Sequence, residues 1–341
     1  MELKLCNYKT DFAFGEDFSV GNLIVKATLE NGELKVLNAN DYLVDYSSYN
    51  SLIVGEYLVK VTLKNTQISC SYKVKVNPAN KLKVLMIGNS FSDDTIQWGY
   101  EVATSIGIPA ENVIIADIFI GGCPLKDQWA NAQTNFAGYE FRIDKEGDWD
   151  TIKTNATMLE AIKYADWDFI TLQQASGFSG VSDTYKDLQN LMDYVRANAT
   201  NPKVKLVWHQ TWAYQQNSTH GDFYRYNNNQ LTMYNAIISS MQSEVLTKDF
   251  ATIIPNGTAV QNARTSYLGD NLTRDGFHLN LQFGRYIASL TLVKVLTGRD
   301  IADVFWSPNL NKNQINVCKE SVNNAVKNPL KITSSVLTKI N

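Results

Sequence analysis

The chain has 341 residues, 44% of them hydrophobic and 19% charged, with a formal net charge of −3. This composition is that of a globular protein, and without a basic stripe it argues against nucleic acid as the partner. No apolar run reaches the roughly 18 to 20 residues of a membrane span, so no such span is expected.

Residues 1–79 alternate apolar and polar positions at period two. Leu23–Leu29, Tyr57–Leu63 and Cys70–Val76 read as strands, with turn signals at Asn31-Gly32 and Lys64-Asn65. Short strands with frequent turns predict a small all-β sandwich. The four cysteines show no C-x-x-C spacing, so no zinc site is expected. Cys6 and Cys70 share this first segment and could meet across strands, but small buried thiols are the simpler reading.

The order Val20-Gly21, Asn31-Gly32-Glu33, Asp41-Tyr42, Val54-Gly55-Glu56-Tyr57 and Tyr72-Lys73-Val74-Lys75-Val76 resembles the immunoglobulin-like repeats of bacterial surface and secreted proteins. The resemblance implies a spacer or attachment role and a secreted or cell-surface location. Met1-Glu2-Leu3-Lys4-Leu5-Cys6 lacks the apolar core of a signal peptide, so that location requires a leader removed upstream. Without one, the cytoplasm is the expected compartment.

Asn77-Pro78-Ala79-Asn80 reads as a linker, dividing the chain into 1–79 and 80–341. Beyond it, apolar runs alternate with helical stretches. Strands are expected at Val84–Ile87, Val113–Phe119, Phe169–Leu172, Val204–Trp208 and Thr252–Ile254. Helices are expected at Thr95–Ile106, Thr157–Ala165, Thr184–Ala197, Asn227–Val245 and Leu279–Leu296, and an inserted hairpin at Tyr139–Trp149. Strands alternating with helices imply an α/β fold, a parallel sheet with helices on both faces. Its ligands sit beyond the carboxyl ends of the strands. Ser90, Gly122, Gln173 and His209 all fall at or just after a strand end.

Gly88-Asn89-Ser90-Phe91-Ser92 follows the first of these strands, and Asp275-Gly276-Phe277-His278 lies near the chain end. Acyl transfer needs a serine nucleophile, an imidazole base and a carboxylate that orients the base. With only three histidines (His209, His220 and His278), the spacing favours Ser90, His278 and Asp275. Asp93 and Asp94 are expected to cap or charge the first helical turn. Ser176 and Ser179, in a glycine-rich turn, are rival nucleophiles without a helix-start context.

These blocks resemble the SGNH (GDSL-type) hydrolases. Gly88-Asn89-Ser90-Phe91-Ser92 matches the nucleophile block, with Asn89 replacing the usual aspartate. Gly121-Gly122 matches the glycine block, and Asp275-Gly276-Phe277-His278-Leu279-Asn280 matches the last. The resemblance covers about 82–300 and implies a three-layer, flavodoxin-like fold. It implies an oxyanion hole of the Ser90 and Gly122 N–H groups with a side-chain amide. The family's Gly-x-Asn-Asp block is replaced here by Leu172-Gln173-Gln174-Ala175-Ser176, so that amide falls to Gln174 or Gln173. A Leu-Gln-Gln-x-Ser block of this kind resembles an uncharacterised branch of the family, often found beside surface-type domains.

The expected activity is cofactor-free and metal-free hydrolysis of a small acyl ester, acetyl above all, on a carbohydrate. His209, Trp212 and Tyr214 are expected to bind the sugar. The rivals are a glycan-binding surface protein with a degenerate hydrolase fold, and a lipase or thioesterase of the same family.

Overall fold

The computed structural model describes residues 2–29 and 32–339; Asn31, half of the expected Asn-Gly turn, lies outside the described residues. The chain divides into two compact units, the first running to Ala79 and taking in Thr297–Arg299, the second made of Asn80–Leu296 and the residues from Asp300 onward.

In the first unit, β1 (Glu2–Tyr8), β3 (Gly21–Thr28) and β4 (Leu34–Val36) form one antiparallel sheet. The second sheet has the order β2 (Asp11–Phe12), β7 (Ser69–Val76), β6 (Gly55–Leu63) and β5 (Tyr42–Asp45), with β2 parallel to β7. Tyr72, Val74 and Val76 turn inward while Lys73 and Lys75 turn out, the period-two pattern of a strand with one covered face. Leu3, Val25 and Ala27 of the first sheet share a core with Phe12, Val59, Val61 and Val74 of the second. Each fully buried valine there stabilises the unit by about 1.5–3 kcal/mol relative to exposure. All four cysteines of the chain are free thiols.

The second unit is built on a seven-stranded sheet. Its strands are β8 (Leu82–Gly88), β9 (Val113–Phe119), β10 (Tyr139–Lys145), β11 (Asp148–Ala156), β12 (Phe169–Leu172), β13 (Lys205–His209) and β14 (Thr252–Ile254). The spatial order is β11-β10-β9-β8-β12-β13-β14. From β9 to β14 every neighbouring pair is parallel. Val84, Leu85, Met86 and Ile87 are all fully buried, so both faces of β8 are covered. This explains their unbroken apolar run.

The parallel strands therefore follow the doubly wound order 2-1-3-4-5. In such a sheet the crevice opens at the carboxyl ends of the two strands flanking the order reversal, here β8 and β12. The expected hairpin is longer than its sequence signal. It runs to Ala156 and joins the main sheet, with β10 antiparallel to β9 and the turn made by Glu146 and Gly147 at φ of 61° and 90°.

The helices are α1 (Ser90–Ile96), α2 (Gly99–Ser105), α3 (Leu125–Thr134), α4 (Met158–Lys163), α5 (Leu188–Asn198), α6 (Gln230–Ser240), α7 (Asn256–Arg264), α8 (Phe283–Thr297) and α9 (Lys312–Lys327). The single helix expected at Thr95–Ile106 is two. The first starts five residues earlier because Asn89, not a later residue, is its N-cap. The stretch expected at Asn227–Val245 is α6, capped by Asn229, followed by a π-turn at Met241–Val245. Among the described residues no helix is long and apolar enough to cross a membrane.

Candidate active site

The chain leaves β8 through Gly88, and Asn89 Oδ1 accepts the Phe91 N–H at 3.1 Å, which starts α1 at Ser90. Gly88 serves close packing rather than an unusual turn. A Cβ there would stand 2.2 Å from Ser92 Oγ and 2.8 Å from Gln173 Cδ. Ser92 Oγ donates to Gln173 Oε1 at 2.7 Å across that gap, joining α1 to the end of β12.

Facing this turn is the segment from Thr273 to Leu279, closed at its base by an antiparallel bridge between those two residues. Inside it, Asp275 Oδ1 accepts the backbone N–H groups of Phe277 at 3.1 Å and His278 at 2.8 Å. Its other oxygen lies 2.6 Å from His278 Nδ1, and His278 Nε2 lies 2.8 Å from Ser90 Oγ. An ionised carboxylate only accepts, so Nδ1 carries the proton and Nε2 is left to accept from the serine hydroxyl. Burial works to raise the Asp275 pKa, but hydrogen bonds from the His278 ring and from the two backbone N–H groups outweigh it and hold the carboxyl below its ordinary value. The imidazole is partly exposed and Ser90 is half-buried, so a reactant can reach both.

Ser90 is the first residue of its helix, where the backbone N–H has no intrahelical acceptor. Gly122 follows β9, is exposed and sits at φ 66°, with no atom within 4 Å of where a Cβ would be. The two glutamines are placed differently from the expectation. Gln174 is wholly buried, with Oε1 accepting from the N–H of Leu125 at 3.0 Å and of Ala175 at 2.8 Å. Its Nε2 donates to the hydroxyl of Thr184 at 2.9 Å and to its carbonyl at 3.1 Å. Both amide hydrogens are thus engaged, and the side chain ties the loop after β9 to the segment after β12. Gln173 is also wholly buried, donating to Asn89 Oδ1 at 2.7 Å. Neither amide faces the cleft as an oxyanion donor.

The expected sugar-binding trio requires the same correction. His209, Trp212 and Tyr214 are all fully buried. His209 Nδ1 donates to Gln173 Oε1 at 2.7 Å, and Nε2 lies 3.0 Å from both Thr95 Oγ1 and Asn256 Nδ2. Burial drives its pKa down to about 3, so it is a neutral hydrogen-bonding group inside the fold. Trp212 stacks on Phe91 at 4.2 Å and donates its indole N–H to the Phe277 carbonyl at 2.7 Å. Tyr214 meets Ser176 Oγ at 2.9 Å. These side chains lie beneath the reactive groups rather than lining a cleft.

Ser176 has that phenol for a neighbour, and Ser179 Oγ donates to the Ser176 carbonyl at 2.7 Å; neither hydroxyl is bonded to an imidazole. His220, in the loop between β13 and α6, packs against the rings of Tyr214 and Phe277, each 4.7 Å away. Asp94, expected to cap or charge the first helical turn, does neither: Asn89 is the N-cap, and Asp94 is fully buried and ion-paired to Arg274 and Arg285. Its place one helical turn after Ser90 was the available signal.

Residues 83–325 match the family described as a domain of unknown function, DUF4886. The chain is similar to the crystal structure of a DUF4886 family protein from Bacteroides uniformis, with 37% identity over 76% of this chain and 100% of that one, and a TM-score of 0.72. A protein from Slackia heliotrinireducens, assigned provisionally to the SGNH hydrolases, is 15% identical over 63% of this chain and 98% of that one, at a TM-score of 0.37. An alpha/beta hydrolase enzyme from the metagenome of Lake Arreo is 13% identical over 63% of this chain and 96% of that one, also at 0.37. The last two likenesses are too slight to carry an activity across. No curated protein matches the chain. The matched span and the Bacteroides uniformis relative together make this chain a member of the DUF4886 family.

Proposed function

We propose that the protein is a serine esterase of SGNH type, acting on small acyl esters, acetyl above all, carried by a carbohydrate. The observation that supports it is the unbroken relay from Asp275 through His278 to Ser90, with contacts of 2.6 and 2.8 Å. In this reading Ser90 Oγ bonds to the ester carbonyl carbon while its proton passes to His278 Nε2. The oxyanion takes the N–H groups of Ser90 and Gly122, without a glutamine. The bond to the alcohol then breaks, and His278 returns the proton to the leaving oxygen. Water, deprotonated by the same imidazole, releases the acid and restores Ser90.

The alcohol part of the substrate needs a site other than the buried aromatic trio. A cavity of about 320 Å³ is lined by Pro124, Lys126, Gln174, Phe178, Thr184 and Asp187. Pro124 stands two residues beyond Gly122, and an apolar floor with a charged rim suits a sugar ring. The first unit, in this reading, is an immunoglobulin-like spacer on a secreted or cell-surface protein.

The test is hydrolysis of p-nitrophenyl acetate and butyrate by the wild type and Ser90→Ala, followed by acetate release from acetylated polysaccharide. Turnover of acetate that vanishes in Ser90→Ala is expected, with Phe178→Ala raising KM on the polysaccharide. Turnover that survives in Ser90→Ala would overturn the assignment of the nucleophile. Polysaccharide that binds without releasing acetate would replace the esterase with a glycan binder.

A further inference from the structure

Ser90 and Asp94 are one turn apart on α1 and so lie on the same side of it. Ser90 meets His278; Asp94 grips the chain on both sides of the Asp275–His278 turn. Its Oδ2 accepts the Leu279 N–H at 2.6 Å, and its Oδ1 takes Arg274 Nη1 at 3.0 Å and Arg285 Nη2 at 2.6 Å. Arg274 closes the grip: its Nη1 also donates to the Leu279 carbonyl at 2.7 Å, and its backbone N–H donates to the His278 carbonyl at 2.9 Å. Burial raises the Asp94 pKa above its ordinary value, and the Arg285 and Arg274 charges oppose that rise.

The grip is anchored further. Arg285 Nη2 lies 3.5 Å from Asp93, Asp93 lies 3.0 Å from Arg142 Nη1, and Arg142 forks onto the buried Asp117 of β9, with Nε 3.0 Å from Oδ1. Six side chains of alternating sign thus run from β9 and β10 through α1 and α8 to the turn that holds the imidazole. Such a chain resists tilting of α1 against that turn, and such a tilt would stretch the 2.8 Å contact between serine and imidazole.

We propose that Asp94 is a positioning residue, which holds His278 in register with Ser90 by clamping Arg274 and Leu279 on either side of the Asp275–His278 turn. This inference rests on the reading of Ser90 as the nucleophile, and its test separates the two. A fluorophosphonate needs no knowledge of the substrate: Ser90 Oγ bonds to phosphorus, fluoride leaves and the serine proton goes to His278. The wild type is expected to be labelled and Ser90→Ala not. Asp94→Asn, shown to be folded by circular dichroism and its melting curve, is expected to be labelled at least tenfold more slowly. The maximal inactivation rate should fall while the half-saturating probe concentration stays the same. The low-field proton resonance of the His278–Asp275 hydrogen bond should weaken in Asp94→Asn and persist in Ser90→Ala.

A folded Asp94→Asn that labels at the wild-type rate overturns the clamp and leaves the nucleophile standing. A wild type that is not labelled overturns both. Should Asp94→Asn fail to fold, the more exposed Arg274, as Arg274→Gln, decides. Slower labelling is expected there, and wild-type labelling overturns the proposal.

Discussion

The indole N–H of Trp212 donates to the carbonyl of Phe277 at 2.7 Å, so a side chain inside the fold fixes the peptide immediately before His278. Trp212→Phe removes this bond and, because the indole is fully buried, also leaves a void where part of its ring system stood. The expected result is a loss of about 2–4 kcal/mol in stability. On the proposed ester substrates, kcat should fall roughly tenfold with KM unchanged. A rise in KM alone would return Trp212 to the wall of a sugar site.

Gln174 gives an equally sharp contrast. As a tie between two loops, its four hydrogen bonds make Gln174→Ala a stability mutation, costing about 2–4 kcal/mol through buried N–H and carbonyl groups left unpaired. As an oxyanion donor it would cost about 10²–10³ in kcat with little change in melting temperature. Thermal melts beside p-nitrophenyl acetate kinetics separate these outcomes, and the structure predicts the first.

His209 is held neutral by burial, with a pKa of about 3 in the fold against an ordinary 6.5, and Gln173, Thr95 and Asn256, none titratable, are its bonded partners. Between those values the unfolded chain binds a proton that the folded one refuses. Its contribution to stability is therefore present above about 6.5 and lost as pH falls through that window, by up to about 1.4 kcal/mol per pH unit. The His209 ring C2 proton should not shift between pH 5 and 8 in NMR titrations. His209→Gln should flatten the acid side of the stability curve.

Asp144 has the opposite sign. Burial first, then the charge of Glu101, pushes its carboxyl up to about 7, and its Oδ1 has no partner among the described residues. The folded state holds the proton longer than the unfolded state, so this stabilising term is full below about 3.8 and lost as pH rises toward 7. Asp144→Asn keeps the shape and removes the charge. It should be more stable than wild type at pH 8 by about 2 kcal/mol, and no different at pH 4, by chemical denaturation at both values.

The parallel strands were legible because a strand covered on both faces must be apolar throughout, as Val84–Ile87 is. The relay was legible because Asp275 and His278 lie close in sequence and histidines are few. What escaped was polar and buried. Helix α7 buries all nine residues from Asn256 to Arg264, so it carries no amphipathic stripe, and its Asn-Gly start reads as a turn. His209 and Gln173 look like cleft residues until their partners in α1 and α7 are known, because periodicity marks apolar contact and not a satisfied hydrogen bond. Helix α9 did carry a signal: Val317, Cys318, Ser321, Val322 and Ala325 fall on one helical face and are buried.

The run Arg274–Asp94–Arg285–Asp93–Arg142–Asp117 has an implication for descent. Neutralising one interior member leaves its neighbours with a charge in excess, and for a buried group that is a heavy penalty. Drift at these six positions is therefore expected to proceed by compensated exchanges of an acid and a base together. Relatives should differ here in matched pairs or not at all.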